Sequence, residues 1–453
     1  MLGAAPPACL DRAGRMRCFF GIGLLLGAVW PLAASAHGFG RLYNLPVPFW
    51  LYAWAASAAL LVSFLLALYF VRRPEGPEPE PTTRTIRSTG GWVRLKSVLQ
   101  VLSVGLLVLC IATALWGNRD PYRNFSMTFF WIVCLLGLTY FTAVAGNVYA
   151  YLNPWSILTG WLVLVYTLIN VIAAGLVGRQ AWFRHGEFFA VYLRLVGRLA
   201  PLRLGGEDHL RQPAAWRWPG AGLVHSRPAH MATVVFILAM LSTTAFDGLR
   251  ATQWWVRLFW SDPTGWVEAL MGQRPMQNVI EARRWYLAWE TLWLLSLPGV
   301  YFAAYAGSLQ VARWMTGSQR PLRALLLDFA YPLLPIALAY HVTHYATLVL
   351  TQGRKIISLA SDPFGWGWDL FGTAMTWRAP FLPEMSWVWH SQVALILIGH
   401  VAGVYASHRV AIRVFETPRS AALSQIALLV LMVAMTVSGL WIIAQPLTVE
   451  RMT

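Results

Sequence analysis

The chain has 453 residues, 57% of them hydrophobic and 12% charged, with 25 tryptophans and a net charge of +16. A soluble domain carries about twice that share of charge, and several apolar runs here exceed 20 residues, enough to cross a bilayer as helices. The short alternating segments of a β-barrel are absent, and the positive charge does not call for nucleic acid, because arginine-rich loops are what the positive-inside bias produces. The expected fold class is therefore all-α, a polytopic transmembrane helical bundle embedded in a lipid bilayer. Cysteine adds little. Cys9 and Cys18 precede an expected cleavage site, Cys110 and Cys134 sit in apolar runs, and no CxxC pair is present.

Residues 1–36 read as a secretory signal peptide. Arg12, Arg15 and Arg17 form a basic start, Cys18 to Trp30 an apolar core, and Ala34-Ser35-Ala36 an A-x-A-type cleavage site. Cleavage frees the amine of His37, and an amine and imidazole on one histidine can chelate a metal together. The alternative is an uncleaved anchor with His37 in a solvated loop. The remainder, residues 37–453, reads as a single transmembrane helical domain. Its first span is expected at 49–71. Residues 72–96 follow as a disordered cytoplasmic loop with six basic and three acidic residues. The second and third spans are expected at 97–116 and 125–146.

Asn147 to Trp155 holds two further signals, Asn153 and Pro154. Proline disfavours helix at the residue before it and removes a donor, so residues 147–177 read as broken or re-entrant. Residues 178–228 carry eight Arg against three acids. They form a basic loop with an amphipathic helix near Gly186–Leu193. Later spans are expected at 230–249, 286–308, 324–351, 388–408 and 421–443, giving 8–9 spans in all. If 156–177 crosses fully, the basic segments 178–228, 309–323 and 409–420 all lie outside. If it is re-entrant, all three lie inside, which the charge bias favours. That topology describes a bacterial inner-membrane protein with a periplasmic mature N-terminus.

Ala339-Tyr340-His341-Val342-Thr343-His344-Tyr345 is the organising stretch. On a helix, His341 and His344 share a face about one turn apart. Two imidazoles in a span are costly unless they pair, bind a metal or face a polar cavity. The favoured topology gathers His37, Asp247, His341, His344 and His400 toward one end. The four histidines are candidate ligands for a divalent metal such as Zn or Cu, which would activate water. Asp247 is a candidate general base or an orienting partner for a histidine, and Tyr345 a candidate donor to an oxyanion. Two rival readings remain. His341 or His344 with His400 could ligate haem, or the imidazoles could merely bond neighbouring helices. The Trp/Gly-rich loop at 352–388, through Ser361–Gly372, reads as a lid carrying Asp362 or Asp369, or as an interfacial hairpin with both as turn caps. No Walker A, Rossmann, HExxH or GxSxG motif is present.

The chain resembles a bacterial family of multi-span membrane proteins known as fenitrothion hydrolases. The resemblance rests on His37-Gly38-Phe39-Gly40 with Leu45-Pro46-Val47-Pro48, and on Asn153-Pro154-Trp155, Phe246-Asp247-Gly248 and His344-Tyr345. Ser361 through Gly372 and Gly399-His400-Val401 complete it. It covers most of the mature chain. It departs between Trp155 and Glu187, which is shorter, as though one span were missing. The resemblance implies an integral membrane hydrolase of organophosphate triesters acting on an apolar small-molecule substrate. The alternatives are a haem- or copper-binding redox or assembly protein, and a transporter.

Overall fold

The computed structural model describes residues 48–71, 90–118, 123–149, 172–176, 178–203, 215–376 and 383–445, with isolated positions at 35–36, 43–44, 84–85, 120, 153, 170 and 381. The expected signal peptide and His37 lie outside these, apart from the pair Ser35–Ala36, which bridges Tyr43–Asn44. Strands are limited to two-residue bridges of this kind, among the described residues. The protein is an all-α, multi-pass membrane bundle. Among the described residues, seven helices are long and apolar enough to span: Phe49–Phe70, Ser97–Trp116, Met231–Arg250, Val279–Thr316, Tyr331–Gln352, Met385–Val414 and Pro418–Ala444.

We name α1 (Phe49–Phe70), α2 (Gly90–Trp116), α3 (Phe125–Thr128), α4 (Leu138–Ala145), α5 (Arg179–His185), α6 (Phe188–Val196) and α7 (Ala221–Val224). Then come α8 (Met231–Arg250), α9 (Gln253–Trp260), α10 (Trp266–Met271), α11 (Val279–Thr316), α12 (Leu322–Asp328), α13 (Leu334–Gln352), α14 (Lys355–Ser361), α15 (Met385–Val414) and α16 (Pro418–Ala444). A π-helical stretch, Phe129–Gly137, joins α3 to α4. Local chemistry sets the boundaries. Asn124 caps α3 by accepting from Ser126 N–H, and its amide closes onto the carbonyls of Thr113 and Asn118. Thr417 and Ser420 form a reciprocal box before Pro418 starts α16. Gly317, at φ 65°, ends α11 in the left-handed conformation that glycine adopts without strain.

Several expected boundaries shift for physical reasons. Residues 90–96 belong to α2 and not to the loop before it. The span expected at 324–351 is interrupted. Pro332 and Pro335 lack N–H donors, and the chain makes a 3-10 turn at Tyr331–Leu333 between α12 and α13. The span expected at 286–308 lies within α11, whose 38 residues run about 57 Å, well beyond a hydrocarbon core of about 30 Å. Its N-terminal part docks α9 and α10 through rings of Phe259, Trp255, Trp266, Tyr286 and Trp289. The amphipathic helix exists as α6, and its apolar face packs on the protein: Phe189, Tyr192, Leu193, Leu195 and Val196 are buried, while Phe188 is exposed.

The basic segments gather at one end. Arg227 and Arg320 reach opposite oxygens of Asp328 at 3.0 and 3.7 Å. Arg320 also donates to the Val414 carbonyl, His408 to that of Val71, and Arg198 lies over the Tyr331 ring. The turn after α2 lies at the other end, bonded to Phe364. The described part of 125–145 runs back from it. The chain is described again from Gly178, and Gly197 packs on Asn147 near the arginine-rich end. Asn153 and Glu187, both buried, meet there at 3.4 Å, and Glu187 caps α6 by accepting from Phe189 and Ala190 N–H.

Candidate functional site

α8 and α13 run side by side in the same direction, so residues near their far ends meet. Asp247, one turn from the end of α8, receives His344 Nε2 at 3.0 Å and the Tyr345 hydroxyl at 2.9 Å, both on Oδ2. Its other oxygen takes Arg250, whose Nε and Nη2 both lie at 2.9 Å. One carboxylate thus joins an imidazole, a phenol and a guanidinium. The site is partly open, with the Asp247 side chain 31% and the His344 side chain 20% exposed. It sits at the end opposite the arginine cluster.

The carboxylate fixes the imidazole. Asp247 Oδ2 accepts, so His344 Nε2 carries the hydrogen, and in the neutral ring Nδ1 is the acceptor. Nδ1 faces Gly248, and a methyl placed on that glycine would lie 3.6 Å from it. Of the two roles expected for Asp247, orienting a histidine is the one this geometry gives. Tyr345 differs from its expectation: its hydroxyl is committed to Asp247 and is not free for an oxyanion.

The candidate metal ligands do not converge among the described residues. His341 lies one turn before His344, but its ring sits among Tyr140, Tyr192 and Tyr345 at centroid distances of 6.3, 6.1 and 4.9 Å. Its Nε2 has no partner among the described residues. His400, on α15, points into a separate cavity between α8, α11, α13 and α16. That cavity, about 20 Å³, has no room for a haem macrocycle in this packing. No three His, Cys, Asp or Glu come together in the described residues as a metal centre needs. Asp247 already carries a guanidinium on one oxygen and two donors on the other. The described donor set therefore does not fit a metal ion, and His37 lies outside it.

Sequence reasoning missed Arg250. The signal was present as Asp247-x-x-Arg250, an (i, i+3) pair on one helix face. It also missed Tyr140 and Tyr192, which come from α4 and α6 and have no sequence proximity to His341.

The loop after α14 takes the turn-cap form. Asp362 accepts from the N–H groups of Trp366 and Gly367, and Asp369 from Ser361 Oγ and Ala374 N–H. Those bonds, led by Ala374 N–H, hold the Asp369 carboxyl below the usual carboxylate range. The loop docks on the α2–α3 turn, where the Asn118 N–H donates to the Phe364 carbonyl at 2.8 Å. A methyl on Gly365 would lie 2.7 Å from Asn118 Cβ, so glycine is required there on both conformation and space. Both carboxylates are used locally, and neither joins the Asp247 cluster.

The chain matches no family model, no curated protein and no solved structure.

Proposed function

We propose that this chain is a membrane-embedded hydrolase of organophosphate triesters whose working group is His344 held by Asp247. The observation that carries it is the 3.0 Å contact between His344 Nε2 and Asp247 Oδ2, in a partly open cluster at one end of an apolar bundle. An aspartate holding one ring nitrogen leaves the other as a general base and stabilises the imidazolium that forms. A water reaching His344 Nδ1 would give it a proton as its oxygen attacks phosphorus. The new P–O bond forms as the bond to the aryl oxygen breaks, and the aryl group leaves as phenolate. Arg250, about half exposed, would meet the charge growing on the phosphoryl oxygen. No step is routed through a metal. The bilayer supplies the route for an apolar substrate.

Release of phenolate from fenitrothion by the detergent-purified chain tests this. His344→Ala and Asp247→Asn should each lower the rate by about a hundredfold or more. A wild-type rate equal to the buffer, or variants that match wild type, would overturn the proposal. The proposal places the arginine-rich end in the cytoplasm and the Asp247 end in the periplasm of an inner membrane, following the charge bias. Labelling of single cysteines placed at the exposed Gln319 and Leu370 from outside intact cells reads this directly: position 370 should label and position 319 should not.

A further inference from the structure

His400 is almost fully buried, at 4% exposure. Its Nδ1 lies 2.8 Å from the Ile396 carbonyl. A carbonyl oxygen only accepts, so Nδ1 carries the hydrogen and Nε2 of the neutral ring is a bare acceptor. That Nε2 has no partner among the described residues, and the same holds for the buried hydroxyl of Tyr340. Both residues line one cavity, with Tyr301, Met435 and Ser438. Ser438 Oγ donates to the Met435 carbonyl, which leaves its oxygen able to accept. Two complementary orphan groups thus face one space, an acceptor on α15 and a donor on α13. Each would cost about 1–3 kcal/mol if left dry.

We propose that this cavity is a binding site for one ordered water, which donates to His400 Nε2 and accepts from the Tyr340 hydroxyl. The cavity's volume, about 20 Å³, suits one or two waters and nothing as large as an ester. The second water hydrogen has an acceptor in Ser438, an exposed member of the lining. Such a water meets the three or so polar partners that buried waters typically make. The ligand class is therefore a water-sized, uncharged molecule that both donates and accepts. Tyr340 lies one helical turn before His344, so the site brings a solvent molecule to the layer below the Asp247 cluster. The proposal stands whether or not that cluster is hydrolytic.

Nitrogen-15 NMR of histidine-labelled protein in lipid nanodiscs tests it, with the His400 signals assigned by their loss in His400→Gln, or through ring-to-backbone correlations if that variant does not fold. The expected result is a pyridine-type Nε2, a protonated Nδ1, and a magnetisation-transfer peak from water protons to Nε2. Tyr340→Phe should keep the tautomer, because Ile396 still holds Nδ1, while weakening the water peak several-fold. A protonated Nε2, a missing water peak in the wild type, or a peak unchanged by Tyr340→Phe would each overturn the site. Addition of Zn²⁺ at equimolar concentration should leave the His400 signals in place; their displacement would assign the cavity to a metal instead.

Discussion

Two polar centres lie side by side in this bundle, and they solve the same problem in opposite ways. Around Asp247 every strong group has a protein partner: a carboxylate, a guanidinium, an imidazole and a phenol share their hydrogens among themselves. Around His400, Nε2 and the Tyr340 hydroxyl have no partner among the described residues, and an acceptor and a donor face a small space. The first centre is closed by charge and partly open to its surroundings. The second is neutral, deeply buried and completed only by something from outside the chain. A buried charge must be paired within the protein, whereas neutral groups can be left for water to satisfy.

The comparison can be broken most forcefully at the packing that separates the two centres. A methyl on Gly399 would lie 2.3 Å from Ala339 Cβ and 2.8 Å from the Pro335 carbonyl, where backbone cannot yield. Gly399→Ala should force α15 off α13 and cost about 3 kcal/mol, read as a lowered midpoint in a detergent-solubilised thermal melt. It should disturb the His400 NMR signals far more than those of His344. Next in size, Asp247→Asn removes the charge that matches Arg250 and the carboxylate that holds His344. It should destabilise the chain by about 2 kcal/mol in the same melt, a figure held down by the half-exposed guanidinium. His400→Gln, which keeps an acceptor, should shift the midpoint much less. If the two variants cost the same, the contrast between a charged and a neutral centre fails.

Tyr345→Phe deletes one hydrogen bond to the carboxylate and leaves the other two partners. About 1 kcal/mol should be lost, with phenolate release by the proposed hydrolase kept within about tenfold, since this hydroxyl positions Asp247 and touches no reacting atom. A loss as large as that of His344→Ala would instead make Tyr345 a catalytic donor, as the sequence suggested. The smallest effect belongs to Asp369, a carboxylate remote from both centres. Its pKa is lowered in the folded loop, so its contribution is present above the unfolded value, about 3.9. It fades as pH falls through the lower folded value. Proteolysis of the Ser361–Gly372 loop should therefore stay constant from neutral pH down to that region and rise only below it, while Asp369→Asn should be cut faster at neutral pH.

Much of the architecture was legible because apolar runs longer than a bilayer is thick have few alternatives to a spanning helix. The grouping of arginine loops at one end followed from charge counting. Helix ends were less legible. The length of α11 and the interruption at Tyr331–Leu333 depend on what packs against them. At the site, Asp247, His344 and Tyr345 were found as candidates because ionisable groups in apolar runs stand out. Their partnership with Arg250, and the separation of His400, were not, because hydrophobic pattern says which residues are buried and not which neighbour each one faces.

By itself the amino-acid sequence determined that this chain crosses a membrane as helices, and which polar residues stand in apolar surroundings. These follow from local composition, which needs no knowledge of neighbours. Only the tertiary structure decided that Asp247 meets His344 across two helices that run in the same direction, while His400 opens onto a cavity of its own. Both outcomes depend on helix rotation and depth, and these are set by the fit of side chains such as Gly399 against Ala339, far apart along the chain.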